Sequence, residues 1–189
     1  MNLQTLGRNI QSCTLCKLSE TRTNALPGEG PCPSRLMIVA QSPGKTEDIE
    51  NRMFVGPSGK VFDILINKAG LTRNDFYLTN LIKCMLPKSR RPSHDELVQC
   101  TPYLDTEIEL VKPKVIVPLG FHSTKYIFRK FGLDIPPKKE FHRLFGHLIR
   151  IDPYLIFPVR HPTALLFDKE KEPVMIQNYK KIKVVSYKF

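Results

Sequence analysis

RLMIVAQSPGKTED, residues 35–48, decides the fold. Residues 35–40 form a short apolar run, the mark of a buried strand. The polar turn QSPGKTED follows at once. The same grammar recurs along the chain: FYLTN at 76–80, KVIVPL at 114–119 and YLIFPV at 154–159 read as three further strands. Helical segments lie between them. SGKVFDILINKA (58–69) reads as a helix with Ser58 as N-cap and Gly70 as terminator. Ser93 to Leu110 carries a capping box, Ser93 with Glu96, ahead of apolar Val98, Tyr103, Leu104 and Ile108. Phe121 to Phe131 is a helix that Gly132 ends, and 173–183 is the last helix. Segment 136–150 is basic and irregular, with a hairpin as its best reading.

Strands alternating with helices imply a parallel sheet covered on both faces. The expected class is therefore α/β, three layers, with a central four-stranded parallel sheet. In such sheets ligands bind beyond the carboxyl ends of the strands. Those ends are Gln41–Asp48, Asn80–Cys84, Gly120–Ser123 and Arg160–Leu166, where polar, Pro/Gly-rich and His-containing segments fall.

At 189 residues the chain is read as one domain, 1–189, with 41% hydrophobic and 25% charged side chains, ordinary for a soluble protein. No apolar run is long enough to span a bilayer. The N-terminal MNLQTLGRNI lacks the apolar core of a signal peptide, so a cytoplasmic location is expected. The net charge of +11 is unevenly spread: residues 1–110 carry a net +1 and residues 111–189 a net +10. A basic half points to a polyanionic partner, most often nucleic acid.

Five cysteines without an export signal argue for metal ligation in a reducing compartment rather than for disulfides. Cys13 and Cys16 form a C-x-x-C pair. Cys84 and Cys100 can complete a four-cysteine site, formed by 13–16 with 84–100. The spacing suits zinc and an iron–sulfur cluster equally. Cys32 stands apart and reads as free.

These segments together resemble the uracil-DNA glycosylase superfamily, specifically its family 4 enzymes. The resemblance covers nearly the whole chain. It rests on the spaced cysteines, PGEG at 27–30, QSPGKTED at 41–48, FVGPSG at 54–59, TNLIKC at 79–84 and RHPTALL at 160–166. It implies hydrolysis of the N-glycosidic bond of uracil in DNA without strand cleavage, a [4Fe-4S] cluster on Cys13, Cys16, Cys84 and Cys100, and action as a monomer on single- or double-stranded DNA. A related glycosylase for another damaged base, or an iron–sulfur DNA-binding module without catalysis, are the competing expectations.

The resemblance assigns roles residue by residue. Asn80 would read uracil, because its amide both donates and accepts; the bland alternative is an Asx turn closing the strand. Phe54 would stack on the flipped base. His161 would donate to uracil O2 as negative charge develops there. The water-activating motif departs from the family: Gln41 stands where Glu is usual, and Ala40 where Gly is usual. Gln41 cannot act as a base, though with Ser42 it can contact the substrate. Glu47 becomes the candidate base or water-orienting group; otherwise Glu47 and Asp48 only cap a helix start. Leu165 and Leu166 would fill the gap left by the flipped base. Apart from the resemblance, Ser58 near a helix start and the basic Arg90 and Arg91 read as phosphate contacts. Lys125, Arg129, Lys130, Lys138, Lys139 and Arg143 would form the electrostatic footprint. His94, His122, His142 and His147 read as surface or structural. SRRPSH at 89–94 is similar to the histidine loop of cross-linking relatives but has no insertion.

Overall fold

The computed structural model describes residues 1–188. The elements run α1 (Leu3–Gln11), β1 (Leu36–Ala40), α2 (Lys45–Glu50), α3 (Pro57–Lys68), β2 (Tyr77–Asn80), α4 (His94–Val111), β3 (Val115–Pro118), α5 (Gly120–Lys130), β4 (Ile149–Ile151), β5 (Tyr154–Ile156), α6 (Ala164–Phe167) and α7 (Glu172–Lys188). The sheet order is β2-β1-β3-β5-β4. β1 pairs in parallel with β2 and β3, and β3 in parallel with β5.

Alternation along β1 explains the three layers. Leu36, Ile38 and Ala40 face one apolar cluster with Phe62, Leu65 and Ile66 of α3 and Tyr179 and Ile182 of α7. Met37 and Val39 face the other, with Leu104 and Ile108 of α4 and Ile127 and Phe128 of α5. A strand's period of two forces this split, and all five β1 residues are buried.

Two expectations need correction. The sheet has five strands, not four, because Ile149–Ile151 folds back antiparallel on Tyr154–Ile156. The added edge strand is three residues long and only half-buried, so it left no apolar run to read. β5 is also shorter than the 154–159 run. Pro158 cannot donate to a ladder, and beyond Ile156 only an isolated parallel bridge, Leu119 with Val159, continues the pairing. The second correction is the start of α3. Its N-cap is Gly56 and not Ser58, with Pro57 in the first turn, where its missing N–H costs nothing. α4 begins as expected, with the Ser93 hydroxyl accepting from Glu96 N–H.

Candidate active site

The carboxyl ends of β1 and β2, the start of α3 and the loop after β5 enclose one pocket. Ser42, Pro43, Gly44, Glu47, Phe54, Ser58, Asn80 and His161 line it. Seven of the candidate residues were thus sought in four separate segments, and six of them meet here: Ser42, Glu47, Phe54, Ser58, Asn80 and His161. Gln41 does not line the pocket; its carbonyl accepts Ile82 N–H at 2.9 Å, which stitches β1 to the turn after β2.

Glu47 is buried at the third position of α2. Its Oε1 accepts from Val55 N–H (3.0 Å) and Gly56 N–H (2.7 Å), and Oε2 accepts from Gly44 N–H (3.1 Å). The carboxylate therefore fixes the loop that carries Phe54 while still facing the pocket. Its neighbour Asp48 turns the other way and accepts from Thr23 and Asn24 N–H. The helix-start reading holds for Glu47, which accepts from the N-cap Gly44 N–H and also faces the pocket, whereas the Asp48 carboxylate ties residues 23 and 24 to α2.

Phe54 sits at φ +52°, a strained angle for a side chain of this size. Three features hold it there. Arg73 donates to the carbonyls of Met53 (2.8 Å) and Phe54 (2.6 Å) and is itself gripped by Asp63. Gly59 lets the Phe54 carbonyl approach: a Cβ there would lie 2.1 Å from that oxygen. The Phe54 ring packs on Phe62, centroids 4.5 Å apart, and faces the His161 ring at 5.9 Å.

Asn80 closes β2. Its Nδ2 donates to Met53 Sδ at 3.2 Å, and its Oδ1 is buried with no protein partner. Its main-chain carbonyl accepts from Lys83 Nζ at 2.9 Å. His161 sits where the chain leaves β5. Its Nδ1 accepts from Thr163 N–H (3.2 Å) and faces the Thr163 hydroxyl at 2.7 Å. An N–H donor at Nδ1 leaves the proton on Nε2. Burial disfavours the imidazolium and pushes the pKa of His161 down to about 4. The ring is therefore neutral at ordinary pH.

The outer candidates divide. Leu165 packs against the core cluster, whereas Leu166 is 46% exposed and Phe167, which the sequence reading passed over, is 85% exposed. Arg90 is held in a fork by Glu96 (2.8 and 2.5 Å), whose carboxyl it pulls below its usual range. Arg91 is exposed. Burial, with the Arg91 and Lys125 charges nearby, lowers the pKa of His122, so the neutral ring is favoured beside these two cations. Lys138, Lys139 and Arg143 are exposed, while Lys130 pairs with Asp105 at 3.0 Å.

A second cavity lies behind β2. Cys13, Cys16, Cys84 and Cys100 line it together, with Arg22 and Tyr103 among their neighbours. Arg22 Nη1 donates to Cys84 Sγ at 3.0 Å, and Lys83 N–H donates to Cys100 Sγ at 3.2 Å. Burial pushes the Cys100 thiol up to about 12. Among the described residues no three of His, Cys, Asp and Glu close to the spacing of a site for one metal ion. Cys32 is exposed and does not line this cavity.

The family description "Uracil DNA glycosylase superfamily" matches residues 27–183. The chain belongs to that superfamily. Within it, the chain is 38% identical to a "Type-4 uracil-DNA glycosylase" of Saccharolobus solfataricus, over 96% of this chain and 85% of the relative. A protein of the same description from Sulfurisphaera tokodaii is 39% identical, over 96% and 84%. One from Archaeoglobus fulgidus is 32% identical, over 96% and 92%. The superfamily match spans every pocket residue as well as Cys84 and Cys100. Cys13 and Cys16 lie before it. Thr163, Arg73 and Met53 are the residues that sequence reasoning missed. Only Thr163 left a local signal, a hydroxyl two positions after the histidine it binds.

Proposed function

We infer that this superfamily member is a uracil-DNA glycosylase of base excision repair, hydrolysing the bond between uracil and deoxyribose and leaving an abasic site. The observation that carries the reading is the pairing of a buried, unpartnered Asn80 Oδ1 with a neutral His161 in one pocket. An orphaned buried acceptor costs about 1–3 kcal/mol unless a ligand meets it.

The pocket lies recessed beyond the carboxyl ends of β1 and β2, so the nucleotide must leave the base stack to reach it. Phe54 offers its face to the base, and stacking of this kind contributes about 1–3 kcal/mol. Asn80 accepts from N3–H and donates to O4 of uracil. His161 donates its Nε2 proton to O2, where charge gathers as the glycosidic bond breaks. A neutral imidazole suits this, since it donates without first giving up a charge. Glu47 orders the attacking water and stabilises the cationic sugar across the pocket. Ser42 and Ser58, which share the lining, supply hydroxyls for the substrate and its phosphate.

The DNA side is read from exposure. Leu166 follows the histidine loop and can fill the gap left by the flipped base, with Leu165 packed beneath as its support. Arg91, free of the fork that holds Arg90, contacts a phosphate. Gln41 lies outside the pocket lining, which favours uracil over a changed base specificity.

The cysteine cavity fits the [4Fe-4S] cluster that the sequence resemblance implies. Its donor set is four thiols, with N–H donors aimed at two of them, and such hydrogen bonds tune cluster sulfurs. Bound there, a cluster would cross-link the N-terminal segment to the end of β2. The reaction itself is assigned to the pocket residues.

The test uses oligonucleotides bearing uracil, hypoxanthine, xanthine or 8-oxoguanine, followed by alkaline cleavage of abasic sites. Cleavage at uracil is expected. Excision of hypoxanthine alone, or binding with no excision of any base, would overturn the reading.

A further inference from the structure

The base-reading amide can lie two ways round, and the two ways read different bases. Uracil presents an acceptor (O4) beside a donor (N3–H). Cytosine presents a donor (the 4-amino group) beside an acceptor (N3). An asparagine with its oxygen toward N3–H and its nitrogen toward O4 selects uracil; the same side chain turned by 180° selects cytosine. Something must therefore fix the amide.

We propose that Met53 is that device, a specificity-determining residue that sets base selectivity through Asn80. The Asn80 side chain makes a single hydrogen bond among the described residues, from Nδ2 to Met53 Sδ at 3.2 Å. A thioether sulfur accepts weakly and has no proton to donate. Turning the amide over would press Oδ1 against that sulfur, two acceptors in contact, and would lose the bond. The observed orientation leaves the second Nδ2 hydrogen and the unpartnered Oδ1 for a ligand, the pattern complementary to uracil.

The surroundings make this a fixed reference. Met53 is 1% exposed, and Arg73 holds its carbonyl at 2.8 Å. Lys83 Nζ holds the Asn80 carbonyl at 2.9 Å, so the main chain on the asparagine side is anchored as well. Rotation of the amide is the freedom that remains, and the sulfur removes it.

The proposal rests on Asn80 being the base-reading residue, and the experiment separates the two claims. Leucine and isoleucine match methionine closely in volume but accept no hydrogen bond, so Met53→Leu and Met53→Ile keep the packing while removing the acceptor. The probes are free uracil and free cytosine, measured as competitive inhibitors of excision, with thermal melting as the folding control. Both Met53 variants are expected to keep their melting temperature within a few degrees. Their selectivity, the ratio of the cytosine to the uracil inhibition constant, should fall roughly 5- to 10-fold, the worth of one modest hydrogen bond. Asn80→Ala should abolish the ratio. A ratio that Asn80→Ala abolishes but neither folded Met53 variant changes would overturn the role of Met53. A ratio that survives Asn80→Ala would overturn the base-reading role of Asn80, and the proposal with it.

Discussion

The base pocket and the cysteine cavity stand at opposite ends of one short stretch, Thr79–Cys84, yet they are built on opposite terms. The pocket keeps polar valence open: Asn80 Oδ1 is unpartnered and His161 holds its Nε2 proton outward. The cavity gathers thiols and turns donors inward on their sulfur, from Arg22 and from the Lys83 main chain. Between them lies a buried ion pair, Lys83 with Glu107 at 2.6 Å, both almost fully hidden. Lys83 Nζ uses its donors on Thr79 Oγ1, the Asn80 carbonyl and Glu107. Glu107 in turn accepts from Gly28 N–H and Thr79 Oγ1. The contrast sets open polar valence at one end against gathered thiols at the other, with a charged rivet between.

Removing half of the rivet should have the largest effect. Lys83→Met leaves Glu107 charged, buried and unpaired, so urea unfolding should show a loss of about 3–5 kcal/mol. Adding Glu107→Gln should recover most of it. A single variant as stable as the parent would mean that the two regions are not joined through this pair. Next comes the pocket itself. Glu47→Ala removes the proposed water-orienting group and the acceptor of three loop N–H groups, and should slow uracil release at least ~10²-fold in single-turnover assays. Full activity would leave Glu47 with its helix-start role alone.

The acid response of His161 is a smaller effect that belongs to the pocket and not to the cavity. Its pKa is about 4 folded and 6.5 in the reference state. Between those values the unfolded chain binds more protons, so the stability present above pH 6.5 falls as the pH drops toward 4. After allowance for the open side of the ring, about 2 kcal/mol should be lost. Stability curves of the parent and His161→Gln should converge in that window; parallel curves would contradict a buried neutral ring. The smallest effect is at the surface. Arg91→Ala should reduce the salt slope of DNA binding by about 1, with little change in the rate of bound substrate. An unchanged slope would remove Arg91 from the phosphate contacts.

Much of this architecture was legible because it is local. RLMIVA reads as a strand from its own composition, and Ser93 with Glu96 marks the start of α4 within four residues. Asn80, Phe54 and His161 were singled out by the resemblance to the family, with the strand-end rule in support, and folding brings all three to one pocket. The rest depends on contacts that only folding makes. Nothing near Arg73 in the chain announces that it will hold the carbonyls of residues 53 and 54, and nothing near Met53 announces Asn80. Arg90 reads from the sequence as a phosphate contact, and nothing near it in the chain announces that its guanidinium will also grip Glu96. Gln41 drew notice as an unusual residue in a familiar motif, but its side chain falls outside the pocket that the motif builds.

The central claim is that the pocket performs the reaction while the cysteine cavity supports it. Single-turnover uracil release by His161→Ala, recorded alongside DNA binding and the visible thiolate-to-iron absorption, tests this most directly. The account predicts a loss of at least ~10²-fold in rate, with binding and absorption unchanged. A His161→Ala protein that releases uracil at the parent rate would contradict it.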